Sequence, residues 1–284
     1  MLYGTTWQGG ATGLGVVYQV DIKTGRETVL HNFQGGPAEG ARSDAGLIRD
    51  AAGNLYGTAY FYGPKGNGAI FKVNTAGHIS TLLAFNNSDG GGPKYGPMIL
   101  RDGYLYGETY YGGSYGGVVY KFDLATAEET VLYNFTSADF GPLGGLTMDS
   151  AGNLYGATSA AICAPPNCGS VFKLDTSGSY TTLHSFSGGS DGSDPLGSLT
   201  MDAQGNIYGS TNDGGAVNSA CQNGCGTVFE IDAAGVFTTL YAFTGGADGH
   251  GMNSGVAPGP NGILYGASEA GGAYGCGAVF SIQP

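Results

Sequence analysis

GSLTMDAQGNIYGST at 197–211, followed by GTVFEID at 226–232 and TTLYAF at 238–243, contains four short apolar blocks separated by Gly, Asn and Asp. The blocks are rich in Val, Ile, Thr, Tyr and Phe and too short for helical periodicity, so they read as short antiparallel strands. The links between the first two blocks of related stretches, Asp50-Ala-Ala-Gly-Asn54 and Asp149-Ser-Ala-Gly-Asn153, are tight. Their Gly and Asn supply the positive φ of a hairpin.

The same unit recurs along the chain. Leu/Ile-Tyr-Gly appears with its tyrosine at Tyr3, Tyr56, Tyr106, Tyr155, Tyr208 and Tyr265, at intervals of 49 to 57 residues. Each copy is followed by a second block, centred on Tyr18, Phe71, Tyr120, Phe172, Phe229 and Phe280. A third block ends at Phe33, Phe85, Phe135, Phe186 and Phe243, and a fourth, such as GLIRD ending at Asp50, leads into the next Leu-Tyr-Gly. In spatial order the four are strands a (GLxxD), b (LYGxT), c (VFKV) and d (TTLxxF). One such sheet cannot bury both faces alone, and radial repetition of four-stranded sheets is how propellers solve this.

The expectation is an all-β, six-bladed β-propeller of six tandem ~50-residue repeats, a single domain over 1–284 with blades at about 1–35, 45–86, 96–136, 144–187, 197–244 and 255–284. The first blade lacks strand a and the last lacks strand d. That reads as a chain whose full form begins at least one strand earlier; the alternative is that the termini meet and share one sheet. In an antiparallel meander the long b–c and d–a loops emerge on one face, which makes it the face for function.

Lys and Arg number 10 against 22 Asp and Glu, a net charge of −12, which repels phosphate backbones and anionic membranes. No apolar run approaches the roughly 18 residues a membrane span needs, and the chain opens inside a repeat with no signal peptide. Cys163 with Cys168, and Cys221 with Cys225, bracket short Pro/Gly/Asn-rich loops and read as local disulfides, hence an oxidising compartment. Cys276 is left over and reads as a free, half-buried thiol.

The pattern D-x-x-G-N-L-Y-G-T-T, then G-T-V-F-K-x-D, then T-T-L-Y-x-F-x-G-G-x-D-G is carried well by Asp202 to Thr211, Gly226 to Asp232 and Thr238 to Gly249. It resembles the GloVer tandem repeat of secreted or surface-anchored bacterial proteins over essentially the whole chain. The resemblance implies export and no particular reaction.

Departures from the repeat single out candidate residues. One slot, where strand b nears the long-loop face, holds Trp7, Tyr60, Tyr110, Ser159, Asn212 and Glu269 in the six blades. Three consecutive aromatics there, with Phe61, Tyr62, Tyr95, Tyr111, Tyr115 and Phe140 in nearby loops, suit stacking on sugar faces; loop packing is the bland alternative. Trp7, Tyr60, Tyr110, Tyr111 and Glu269 are the expected ligand-binding set. Glu108 stands where the other blades have Thr5, Thr58, Ala157, Ser210 and Ala267, and is the first catalytic candidate if there is activity. Asp89, Asp139, Asp191, Asp194 and Asp248 faintly suggest Ca²⁺ loops, but Asx turns explain them more simply, so no metal or other cofactor is expected. His31 and His184 fall in a strand-d packing slot. The expectation is a monomeric, secreted or cell-surface, non-catalytic module binding an extracellular glycan or protein. The alternatives are a carbohydrate-active enzyme or metal-assisted lyase or lactonase at the axial channel, and an adhesive or structural repeat protein.

Overall fold

A computed structural model describes residues 1–36, 39–94, 96–136, 141–159 and 168–284. The chain is an all-β six-bladed β-propeller, and among the described residues the one helical element is a 3₁₀ turn at Pro260–Gly262. It divides into two compact units, Met1–Ala138 and Asp139–Pro284, each carrying three blades. Four blades are four-stranded meanders in the order a-b-c-d. Blade 3, for example, runs Ile99–Arg101, Tyr104–Glu108, Val118–Asp123, Glu129–Asn134. The first sheet has three strands (Leu2–Thr5, Val16–Val20, Glu27–Asn32), as has the last (Ala257–Pro258, Leu264–Ala267, Val279–Ile282). Strand a is missing from the first and strand d from the last, as the repeat count implies.

Three sequence features build each blade. The glycine of Leu-Tyr-Gly lies beneath the cross-strand ring of strand c: Gly57 pairs with Phe71, Gly156 with Phe172 and Gly209 with Phe229. A Cβ at these glycines would come within 2.5, 2.6 and 2.5 Å of the facing ring. Each glycine thus makes room for a cross-strand ring folded over it. The same c ring then receives the residue that follows strand d of the preceding blade, edge to face for Phe33 on Phe71 at 5.4 Å, Phe186 on Phe229 at 5.3 Å and Phe243 on Phe280 at 4.9 Å, and tilted for Phe85 on Tyr120 at 5.3 Å. The hydrophobic clusters accordingly lie between consecutive blades of a unit. Strand d also carries a bulge in five blades. The register skips Leu30, Leu82, Leu132, Leu183 and Leu240, and Leu30, Leu82, Leu183 and Leu240 pack against the core clusters that hold Phe33, Phe85, Phe186 and Phe243.

The Asp-x-x-Gly-Asn-Leu-Tyr hairpin is held by its carboxylate. Asp50 Oδ1 accepts the Asn54 N–H at 2.8 Å, and Oδ2 accepts the Asn54 amide at 2.7 Å and the Tyr56 hydroxyl at 3.0 Å. Asp149 and Asp202 repeat the arrangement with Asn153 and Tyr155, and with Asn206 and Tyr208. Desolvation alone would raise the Asp50 carboxyl, but the Asn54 and Tyr56 hydrogen bonds outweigh it and hold the group below its usual range. Tyr56 is pushed up to about 12 by burial and by Asp50. A depressed carboxyl contributes stability that is lost as pH falls through its folded pKa, and a raised phenol contributes stability lost as pH rises from its unfolded to its folded pKa. Asp50→Ala is therefore expected to cost about 1 kcal/mol, the carboxylate being partly solvated. In thermal melts, the gap to the parent should be widest near neutral pH. It should close below about pH 4 and narrow above about pH 10; a gap independent of pH would refute the carboxylate's role.

Candidate functional site

Each d–a loop runs alongside the b–c loop of the next blade. The slot residue donates its backbone N–H to a d–a carbonyl: Tyr60 to Arg42, Tyr110 to Gly92, Ser159 to Gly141, Asn212 to Asp194, Glu269 to Gly251. This shared backbone contact places the slot side chains at the long-loop face.

In the first unit the slot rings come together. Trp7 lies 5.8 Å from Tyr60 and 5.8 Å from Phe61, Tyr60 is 4.4 Å from Phe61 and 6.4 Å from Tyr111. Two cations lie over these rings. The Arg42 guanidinium sits 5.5 Å from the Trp7 centroid and 5.9 Å from Phe61, and the Lys94 ammonium 5.6 Å from Tyr60 and 5.9 Å from Tyr110. Asp44 borders Lys94: burial pushes its carboxyl up and the ammonium draws it back. Phe61 and Tyr62 stay 39% and 44% exposed, and with Arg42 and Gly66 they line an open pocket. Tyr111 is half-buried on the Gly91-Gly92 backbone, where an added Cβ would meet its ring at 2.3–2.4 Å, so it forms part of the floor.

Sequence reasoning named Trp7, Tyr60, Tyr110 and Tyr111 but passed over Arg42 and Lys94. The signal for Arg42 lies in the backbone. It has φ 58°, at the position where Gly92, Asp194 and Gly251 have φ 59°, 55° and 73°. Tyr62 has φ 62°, where Gly9, Gly112, Gly214 and Gly271 have φ between 73° and 88°. A non-glycine residue in this region costs about 1–2 kcal/mol. Arg42, in the loop leading into blade 2, and Tyr62, in that blade, line one pocket.

The remaining candidates are elsewhere. Glu269 lies in the last blade and accepts a short hydrogen bond from Asn253. Glu108 is buried, 5% exposed, at the end of its strand opposite Val119. The fully buried Tyr120 hydroxyl is held well above its usual range by desolvation first, then by Glu129 and Glu108, and Glu129 itself is raised to about 8 by burial and Asp89. Glu108 thus belongs to the interior of blade 3. Tyr115 is an exposed loop ring, while Tyr95, Asp139 and Phe140 lie outside the described residues.

Asp191 accepts from the Ser187 N–H and hydroxyl, Asp248 from those of Thr244, and Asp89 from the Asn86 N–H, all turn-stabilising bonds. Among the described residues no group of three or more His, Cys, Asp and Glu is placed to hold a metal ion. His184 stacks on Phe237 at 3.7 Å and meets Asp191 at 3.3 Å, and His31 meets Glu39 at 3.0 Å. In the second unit the slot is polar. Ser159 donates to Asp194, whose carboxyl is raised by burial, and Asp213 is raised by burial and by Asp194.

Cys221 and Cys225 form a disulfide with Cα atoms 5.1 Å apart. Cys168 is fully buried, and its expected partner Cys163 lies outside the described residues. Cys276 is free and exposed rather than half-buried, because its blade has no strand d to cover that loop. No helix among the described residues is long and apolar enough to cross a membrane.

A family model described as the Gloeobacter/Verrucomicrobia repeat matches residues 1–163 and again 117–284. No curated protein matches the sequence. Among solved structures, a chain of a nidogen/laminin complex is similar at TM-score 0.58 and 13% identity, over 100% of this chain and 92% of that one. A gluconolactonase from Xanthomonas campestris is similar at TM-score 0.55 and 13% identity, over 100% and 87%. A puromycin hydrolase reaches TM-score 0.64 at 13% identity, over 99% of this chain and 43% of its own. Identities this low show a shared propeller fold alone.

Proposed function

The chain belongs to the Gloeobacter/Verrucomicrobia repeat family, and from that premise we propose that it is an exported, non-catalytic propeller that binds glycan through the aromatic cluster of its first unit. One observation carries this reading: three consecutive repeats place Trp7, Tyr60 and Tyr110 in one slot, where Trp7 and Tyr60 gather with Phe61 beside Arg42 and Lys94 links Tyr60 to Tyr110. Rings with exposed edges and faces pack on the C–H faces of sugars, while flanking polar groups serve the hydroxyls. The disulfide supports an oxidising compartment. Glycan-array binding is expected for the parent protein. It should fall on the order of tenfold or more in the double variant Trp7→Ala, Tyr110→Ala, with melting behaviour confirming that the variant folds. Undiminished binding would rule out the platform.

An enzymatic reading has one observation in its favour, the neighbouring carboxyls Asp194 and Asp213, both raised by burial. Turnover of polysaccharide or lactone substrates that Asp194→Asn abolishes would replace the binding reading with that one.

A further inference from the structure

Arg42, in the loop leading into blade 2, and Tyr62, in that blade, are both in left-handed backbone, where the left-handed sister residues are Gly92, Asp194 and Gly251 for the first and Gly9, Gly112, Gly214 and Gly271 for the second, and both side chains line the same pocket with Phe61. Core packing does not account for this, because Tyr62 and Phe61 are among the exposed large hydrophobics. Two such constraints kept together on the long-loop face, the one at Tyr62 standing where the described sister residues are glycine, point to a ligand.

The chemistry of that ligand follows from Arg42. Its guanidinium carbon lies 5.5 Å from the Trp7 centroid and 5.9 Å from that of Phe61, and a guanidinium carries its N–H donors as a planar fork. No ion pair or side-chain hydrogen bond engages Arg42 among the described residues. Only 10 Lys and Arg occur in a chain of net charge −12, yet two of them border this one cluster. Lys94 has Asp44 beside it, whereas Arg42 is uncommitted. A planar fork is matched bidentately by a carboxylate, and the adjoining exposed rings are matched by the face of a pyranose.

We infer that the pocket takes a uronic acid residue of an acidic polysaccharide, its carboxylate on Arg42 and its ring against Phe61 and Tyr62. This rests on the glycan-binding reading and narrows it to a substrate class.

The test measures binding of the whole chain to polygalacturonate, alginate and hyaluronan, each beside its esterified form, which keeps sugar and linkage and removes the charge. At least one free acid should bind tenfold or more tighter than its ester. Arg42→Gly should bring free acid and ester to equal affinity while raising Tm by roughly 2–4 °C through release of backbone strain, and Arg42→Lys should lose most of the preference because a point charge lacks the fork. Equal binding of acid and ester, a preference that survives Arg42→Gly, or stronger binding of dextran sulfate than of any polyuronate would overturn the assignment. Binding confined to neutral array glycans would sink the acidic class but leave the glycan reading intact. Binding to no glycan of either kind would remove both.

Discussion

Replacing Gly209 by alanine is expected to lower Tm by roughly 2–12 °C, a large effect for one added methyl group. The new Cβ would lie 2.5 Å from Phe229 Cζ and 2.8 Å from Leu199 Cδ2. Phe229 is fully buried and cannot swing clear, with Phe186 at 5.3 Å and the stacked Phe237 at 5.5 Å. Overpacking of a closed core typically costs about 1–3 kcal/mol, and here the strain passes to the contact between blades 4 and 5. Trimming the ring should relieve it: Phe229→Leu destabilises alone but should recover part of the loss in the Gly209→Ala background, a favourable coupling in a double-mutant cycle. Gly266→Ala should cost less, since Phe280 is only half-buried in a three-stranded sheet. A neutral Gly209→Ala would mean that the repeat's glycine is kept for some reason other than the ring above it.

That glycine also shows how far the sequence could be read. Repetition of Leu-Tyr-Gly made six blades legible, because a strand that recurs every 49 to 57 residues needs no long-range information to be recognised. Why the residue after tyrosine is glycine depends on which residue faces it across the b–c hairpin, and loops of variable length hide that register. The bulge was closer to the surface of the sequence. In Leu-x-x-Phe the apolar spacing is three, whereas regular strand alternation requires two, so Leu183 and Phe186 can both face inward only if one residue is extra. For the site, slot equivalence found Trp7 and Tyr60, whose rings meet, Tyr110, which Lys94 links to Tyr60, and also Glu269, which is held by Asn253 in the last blade. Arg42 and Tyr62 escaped because their signal is a backbone angle. A tyrosine in a polar loop is unremarkable until its sister positions prove to be glycines in the left-handed region. Glu108 was legible as an anomaly, but its burial within blade 3 is a property of packing.

Phe186→Ala is expected to cost about 3–5 kcal/mol, the range for emptying a buried aromatic site. The side chain has no exposed surface, meets Phe229 at 5.3 Å, and lies within 5.8 Å of Phe237 and 4.8 Å of His184. The cavity would open between two sheets rather than inside one, and neither sheet can collapse into it without breaking the bulge that positions Leu183. Stacked repeats derive much of their stability from contacts between neighbours, so the loss should be felt locally. Hydrogen exchange should accelerate most in Ser170–Leu174 and Thr227–Ile231, the c strands beside the cavity. It should change least in Leu264–Ala267, which packs on the other side of blade 5. Phe186→Leu refills most of the volume and should recover more than half of the lost stability. If exchange instead rose uniformly through blades 4, 5 and 6, those blades would unfold as one cooperative unit, and the edge-to-face phenylalanine would be one contact in a continuous core rather than the joint between two separable sheets.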